Sequence, residues 1–196
     1  MSGTKKVKST DLIPPRGDLP STPAPCLGYD SGKKNMAKKK SPVTPAIHFL
    51  RDAHVDFSTA HYDYEERGGT ARSARCLAVD EFCVIKTLIF QDEKKHPLIV
   101  LMHGNFEVST KSLARHLKVK TLSPCSPAIA DRHSGYHVGG TSPFGTRKKM
   151  PVYMQESIVT DLDTIFINGG ARGFLIQMRP WDAQKILNAE LLEMKA

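Results

Sequence analysis

From residue 44 onward the apolar positions recur with two periods, one near 3.6 and one near 2, and they alternate along the chain. Thr44-Pro45 followed by Ile47, Leu50 and Ala53 predicts a capped helix with proline at its first position. Val55 to Tyr62 alternates, with Val55, Phe57, Thr59 and His61 against Asp56, Ser58, Ala60 and Tyr62, and predicts a strand. Gly68-Gly69 breaks the pattern, and Ala74, Leu77 and Ala78 then form the inward stripe of a helix from about residue 70 to Val79. Phe82 to Phe90 is dense in β-branched and apolar residues. After the charged turn Gln91–His96, Leu98 to Met102 is a second such run, so the two predict a buried β-hairpin.

Farther along, Leu113, Ala114 and Leu117 mark the buried side of a helix over Ser109–Leu117, with Lys111, Arg115 and Lys118 outward. Lys120–Leu122 suits a short strand. Ser126-Pro127 starts another helix and Gly135 ends it. Pro151–Met154 predicts a strand and Gln155–Ile158 a helical turn. Thr164–Ile167 and Gly173–Met178 predict strands joined by a loop, Asn168-Gly169-Gly170-Ala171-Arg172. A last helix, Pro180–Leu187, is expected to seal the core with Trp181 and Ile186 or Leu187. Interspersed helices and strands, with strand pairs a turn apart, give a mixed α+β class and not a doubly wound sheet.

Composition divides the chain. Residues 1–40 hold nine Lys/Arg against three Asp, whereas residues 41–196 hold nineteen against seventeen Asp/Glu, so most of the +8 net charge sits in the first fifth. That segment is rich in Pro, Ser, Thr and Lys and lacks apolar periodicity, which predicts a disordered basic extension over 1–39, with Met36 as a candidate second start. Residues 40–196 form the expected single domain. The folded part is nearly balanced in charge, so global basicity does not argue for nucleic acid and local clusters must. The longest apolar run, Leu98–Met102, is too short to span a bilayer. Four scattered cysteines without a C-x-x-C pair read as reduced thiols, which implies a cytoplasmic location.

Two features carry candidate chemistry. The run Gly135-Tyr136-His137-Val138-Gly139-Gly140-Thr141-Ser142-Pro143-Phe144-Gly145 cannot continue a helix or strand, but it can bring backbone N–H groups against a ligand. Arg147-Lys148-Lys149 follows and would favour an anion. Alone, the run also reads as a surface turn. Lys86 interrupts an apolar strand between Ile85 and Thr87, where a buried charge needs a partner or a cleft. It reads equally as an outward edge position with a packed stem. Asn168–Gly173 offers a second set of backbone donors or a plain hairpin turn. His133 and His137 lack a supporting ligand cluster, so no metal is expected, and no nucleophile elbow, Walker loop or dinucleotide fingerprint occurs.

In order, Thr44-Pro45-Ala46-Ile47, Tyr62, Lys86-Thr87-Leu88, Gly135-Tyr136-x-Val138-Gly139-Gly140-x-Ser142-Pro143-x-Gly145 and Gly169-Gly170-x-Arg172-Gly173 resemble the YbaK/EbsC family of free-standing aminoacyl-tRNA deacylases, over about residues 40–196. The resemblance implies a single YbaK-like domain with a curved, barrel-like mixed sheet flanked by helices. It implies editing in trans of an ester that prolyl-tRNA synthetase makes by mistake. The expected substrate is Cys-tRNA(Pro), with Cys-tRNA(Cys) as a second candidate. No cofactor is implied. The substrate's own thiol would attack the ester, leaving a cyclic thiolactone and free tRNA. Lys86, Gly140 and Asn168 would be catalytic, and Tyr62, Gly139, Thr141, Ser142, Gly169 and Gly170 would bind substrate. Arg147, Lys148, Lys149, Lys111 and Arg115 would contact tRNA phosphates. Asn168 stands where such deacylases often carry Ser, and His137 and Phe144 also depart from the pattern, so each is expected to bear on pocket selectivity. Two other readings remain open: a deacylase for another small aminoacyl group, and a non-catalytic module that binds tRNA or the synthetase.

Overall fold

The computed structural model describes residues 42–196, so the expected extension over 1–39 lies outside the described residues. The element order is α1 (Pro45–Asp52), β1 (Ser58–His61), α2 (Gly69–Leu77), β2 (Val84–Asp92), β3 (Pro97–His103), α3 (Thr110–Leu117), β4 (Leu122–Pro124), α4 (Pro127–Ser134), β5 (Val152–Gln155), α5 (Ser157–Thr160), β6 (Ile165–Ala171), β7 (Phe174–Met178), α6 (Pro180–Leu187) and β8 (Glu190–Leu192). Local chemistry explains the boundaries. The Thr44 hydroxyl accepts the Ile47 N–H at 3.3 Å to cap α1. Gly135 closes α4 with φ 81°, a left-handed conformation that glycine adopts without side-chain strain.

All eight strands join one mixed sheet in the order β1-β7-β6-β2-β3-β5-β8, with β4 on β2. The expected hairpin is β2–β3, antiparallel in register from Ile85 opposite His103 to Gln91 opposite Pro97. The sheet is open, running from a β1 edge to a β8 edge, and does not close into a barrel.

The second edge of β2 is shared. β6 lies against Val84 and Ile85, and β4 lies against Phe90 to Asp92. β3 occupies the other edge throughout, so β6 and β4 must diverge around the middle of β2. Lys86, Thr87 and Leu88 fall in that gap, which is where a cleft can enter the sheet.

Two apolar clusters cover the two faces. The larger packs Ala46, Ile47 and Leu50 of α1, Leu77 of α2, Ile158 of α5 and Ala183 of α6 against the sheet. The smaller joins Leu113 and Ala114 of α3 to Phe90, Leu98, Val100 and Met102.

Two expectations need correction. Trp181 is 59 % exposed and seals nothing, because the side of α6 that turns inward carries Pro180 and Ala183. Asn168 to Ala171 is not a loop: β6 runs through it, with a bulge where Asn168 pairs Leu175 and Ala171 pairs Phe174. Of the cysteines expected to be reduced, Cys76 and Cys125 are free thiols.

Candidate active site

A cavity of about 970 Å³ opens in the gap of β2. Tyr62, Lys86, Gly139, Thr141 and Asn168 all line it, so five of the expected site residues, from four separate stretches of chain, converge there. Its apolar wall includes Val84, Ile89, Ala130 and Leu175.

Lys86 projects from β2, with its side chain 21 % exposed. Its ammonium donates to the Phe106 carbonyl at 2.5 Å and lies 3.9 Å from the Glu107 carboxylate. The charge buried in an apolar strand is thus met by the segment that follows β3. That segment is itself anchored. The Phe82 and His103 rings stack at 3.7 Å, the Phe106 ring meets His103 edge-on, and the Lys195 ammonium sits 3.9 Å over Phe106.

The bulge of β6 brings the second wall. Asn168 donates through Nδ2 to the Gly139 carbonyl at 3.2 Å and accepts through Oδ1 from the Gly170 N–H at 2.8 Å. One side chain therefore ties the glycine run to the bulge. Arg172 adds a second tie, donating through Nε to the Val138 carbonyl at 3.1 Å. Gly140 packs against the Ala171–Arg172 backbone so closely that a Cβ would lie 3.0 Å from it.

Not every expected residue lines this cavity. Gly140 and Gly170 line a smaller neighbouring cavity of about 540 Å³ with His137, Ala171 and Arg172. The Gly140 amide is already used, closing a turn onto the His137 carbonyl at 2.8 Å. Among the described residues, the Gly139 and Thr141 amides have no partner, so the donor role expected of Gly140 is open to them. Ser142 is fully buried, and its hydroxyl accepts from the Phe144 N–H at 3.3 Å. Gly169 faces the interior: its carbonyl accepts from the Thr44 hydroxyl at 2.6 Å, and a Cβ there would overlap the Phe174 ring. Both shape the scaffold. Lys111, Arg115, Arg147, Lys148 and Lys149 are exposed and line neither cavity, although Thr110, next to Lys111, lines the larger one. Of the residues that depart from the family pattern, only Asn168 reaches the large cavity. Phe144 is fully buried 6.1 Å from Phe49, and His137 turns outward to Asp131 at 2.9 Å.

The structure adds residues to which sequence reasoning assigned no site role. Thr87 lines the cavity, and its hydroxyl is buried without a hydrogen-bond partner among the described residues. A polar side chain beside Lys86 in an apolar strand was the available signal. Tyr64 and Arg172 also line the cavity, with the guanidinium carbon 5.2 Å from the ring centroid. Burial raises the Tyr62 phenol above its ordinary pKa and Tyr64 adds to this, against a hydrogen bond with the Gly173 backbone, so Tyr62 is a neutral donor at pH 7.

One Ser–His contact lies elsewhere. His103 Nδ1 is 2.6 Å from the Phe82 carbonyl, which can only accept, so Nδ1 carries the proton and Nε2 accepts from Ser157 Oγ at 2.8 Å. Burial lowers the His103 pKa despite that carbonyl. His103 is fully buried and neither residue lines either of these cavities, so the pair is structural. Among the described residues no cluster of His, Cys, Asp or Glu could hold a metal, and no helix is long and apolar enough to cross a membrane.

The chain is similar to known proteins over most of its length. The chain is 27 % identical over 161 residues to an Enterococcus faecalis protein provisionally named Cys-tRNA(Pro)/Cys-tRNA(Cys) deacylase EbsC, covering 81 % of this chain and 98 % of that one. A 90-residue stretch is 24 % identical to a proline–tRNA ligase of Limosilactobacillus fermentum, covering 44 % of this chain and 16 % of the ligase. A solved structure provisionally described as a trans-editing enzyme for prolyl tRNA synthetase shares the fold with TM-score 0.68 at 18 % identity, over 80 % of this chain and 99 % of that one. The model of the aminoacyl-tRNA editing domain matches residues 65–186, well over half the chain, and the chain belongs to that family.

Proposed function

We propose that this protein removes cysteine from mischarged Cys-tRNA(Pro), and from Cys-tRNA(Cys), acting in trans beside prolyl-tRNA synthetase in the cytoplasm. The observation that carries the reading is the meeting of Lys86, Tyr62, Asn168, Gly139 and Thr141 in one cavity entered through the sheet. The names of the relatives favour the same substrate.

The terminal adenosine and its ester enter the large cavity, which excludes enough water to strengthen each polar contact. The substrate thiolate attacks the ester carbonyl, forming a C–S bond. The C–O bond to ribose then breaks, and the ribose oxygen leaves with a proton, giving free tRNA and a cyclic thiolactone. The protein supplies no nucleophile; it holds thiol and carbonyl in an attack geometry, which can account for several kcal/mol of barrier reduction. The Gly139 and Thr141 amides face the developing oxyanion. Lys86, held by the Phe106 carbonyl, places the ribose–phosphate region. Thr87 offers its unpartnered hydroxyl to the bound aminoacyl group.

Purified protein is expected to deacylate Cys-tRNA(Pro), and Lys86→Ala to slow release by at least about 100-fold, the scale for losing one preorganised polar contact. Its circular dichroism and melting should stay near those of the parent. Absence of cysteine release across a panel of charged tRNAs would refute the enzyme reading. Equal rates on a serine-charged tRNA would refute the thiol mechanism.

A further inference from the structure

We propose that Tyr64 and Arg172 form a nucleotide clamp at the mouth of the cavity, with the tyrosine ring stacking the base next to the terminal nucleotide and the guanidinium holding its phosphate. The inference rests on the tRNA-editing reading and adds a subsite to it.

Among the described residues only four large apolar side chains are exposed, and two of them, Tyr64 and Val138, flank this mouth. Tyr64 is 37 % exposed yet held from two sides. The Arg172 guanidinium carbon lies 5.2 Å from its ring centroid, and Gly139 abuts its hydroxyl edge so closely that a Cβ would come within 2.7 Å of Oη. A ring fixed in this way but left open is preorganised for stacking, and every base offers a π-face.

Arg172 is placed for the phosphate. Its Nε is used by the Val138 carbonyl, which fixes the plane of the guanidinium, and its two terminal nitrogens have no partner among the described residues. It lines both the large cavity and the smaller one, a position from which it can reach a polynucleotide running on from the acylated nucleoside. A planar fork with free donors suits a phosphodiester. Of the three carboxylates that line the cavity, Glu65 is 3.3 Å from Arg72, Glu107 faces Lys86, and Glu66 makes no ion pair with Arg172.

The test uses an uncharged RNA hairpin with a single-stranded 3′ end, and the same hairpin with an abasic sugar immediately before the terminal nucleotide. Fluorescence anisotropy gives Kd, and steady-state deacylation of the charged forms gives KM and kcat. Tyr64→Leu is expected to raise both Kd and KM about 5- to 100-fold on the normal hairpin, with kcat changed less than about twofold, because stacking serves ground and transition states alike. Tyr64→Phe and Tyr64→Trp should keep wild-type Kd, and the Leu penalty should vanish on the abasic probe. An unchanged Kd and KM for Tyr64→Leu, or the same penalty on both probes, would overturn the clamp and leave the editing reading intact. If wild type binds the hairpin but cleaves no charged form, the editing reading fails, and anisotropy alone still decides the clamp.

Discussion

Alanine at Gly170 and alanine at Gly139 look alike in sequence but should differ in effect. Both glycines have positive φ, 92° and 89°, where a Cβ costs about 1–2 kcal/mol in backbone strain. Their surroundings differ. A Cβ on Gly170 would lie 2.6 Å from Cε1 of Tyr136 and 3.2 Å from Cβ of Thr44. The Tyr136 ring cannot yield, because it is 4 % exposed and its hydroxyl donates to the Phe144 carbonyl at 2.6 Å. Thr44 is pinned by its bond to the Gly169 carbonyl. Overpacking such a site adds about 1–3 kcal/mol, so Gly170→Ala should lose about 2–5 kcal/mol in all. For a domain of this size each kcal/mol is about 2–4 °C in Tm. A Cβ on Gly139 meets mainly the hydroxyl end of partly exposed Tyr64, which can shift slightly without leaving Arg172, so Gly139→Ala should lose little beyond the backbone strain. Urea unfolding would measure both, with an unchanged slope confirming that stability alone has moved. Equal losses, or a loss under about 1 kcal/mol for Gly170→Ala, would show that the Tyr136 wall is not rigid.

Asn168→Ala should destabilise by about 1–3 kcal/mol through its two lost hydrogen bonds and also lower kcat, since the glycine run loses its tie to β6; urea melts and single-turnover deacylation check the two parts separately. Burial pushes the Tyr136 phenol up to about 12, against a hydrogen bond with the Ala46 backbone, so the unfolded chain loses this proton near pH 10 while the folded chain keeps it. Stability is therefore whole below pH 10 and falls between 10 and 12 by about 2–3 kcal/mol, and Tyr136→Phe should flatten that alkaline limb in melts at stepped pH while starting lower at pH 7.

What was legible in the sequence is what local rules govern. The Thr44-Pro45 start of α1, the β2–β3 hairpin and the Gly135 stop of α4 each follow from chemistry within a few residues, and each appears where the pattern predicts. The Trp181 expectation erred because helical periodicity locates a stripe but not which side the sheet occupies. Asn168–Arg172 has the sequence of a loop, because paired glycines ordinarily mark turns. Here they mark a bulge, where Gly169 lies against the Phe174 ring and Gly170 takes the positive φ.

The candidate site was half legible for a related reason. Lys86 stood out because a lone charge in an apolar strand demands an explanation, and its cavity supplies one. The partner that fixes it was hidden, since a backbone carbonyl twenty residues away leaves no mark of its own in the sequence. The same holds inside the glycine run. Sequence identifies a stretch able to present amides, but only the turn onto His137 shows that Gly140 has committed its own. The donors then fall one residue to either side, on Gly139 and Thr141, and this shift gives the glycine pair a division of labour. Gly140 permits the close approach to Arg172 that holds the wall in place, while Gly139, beside Tyr64 and bound through its carbonyl to Asn168, faces the cavity. A substitution at Gly140 should therefore act through the position of Arg172, whereas one at Gly139 should act through Tyr64 and the cavity itself.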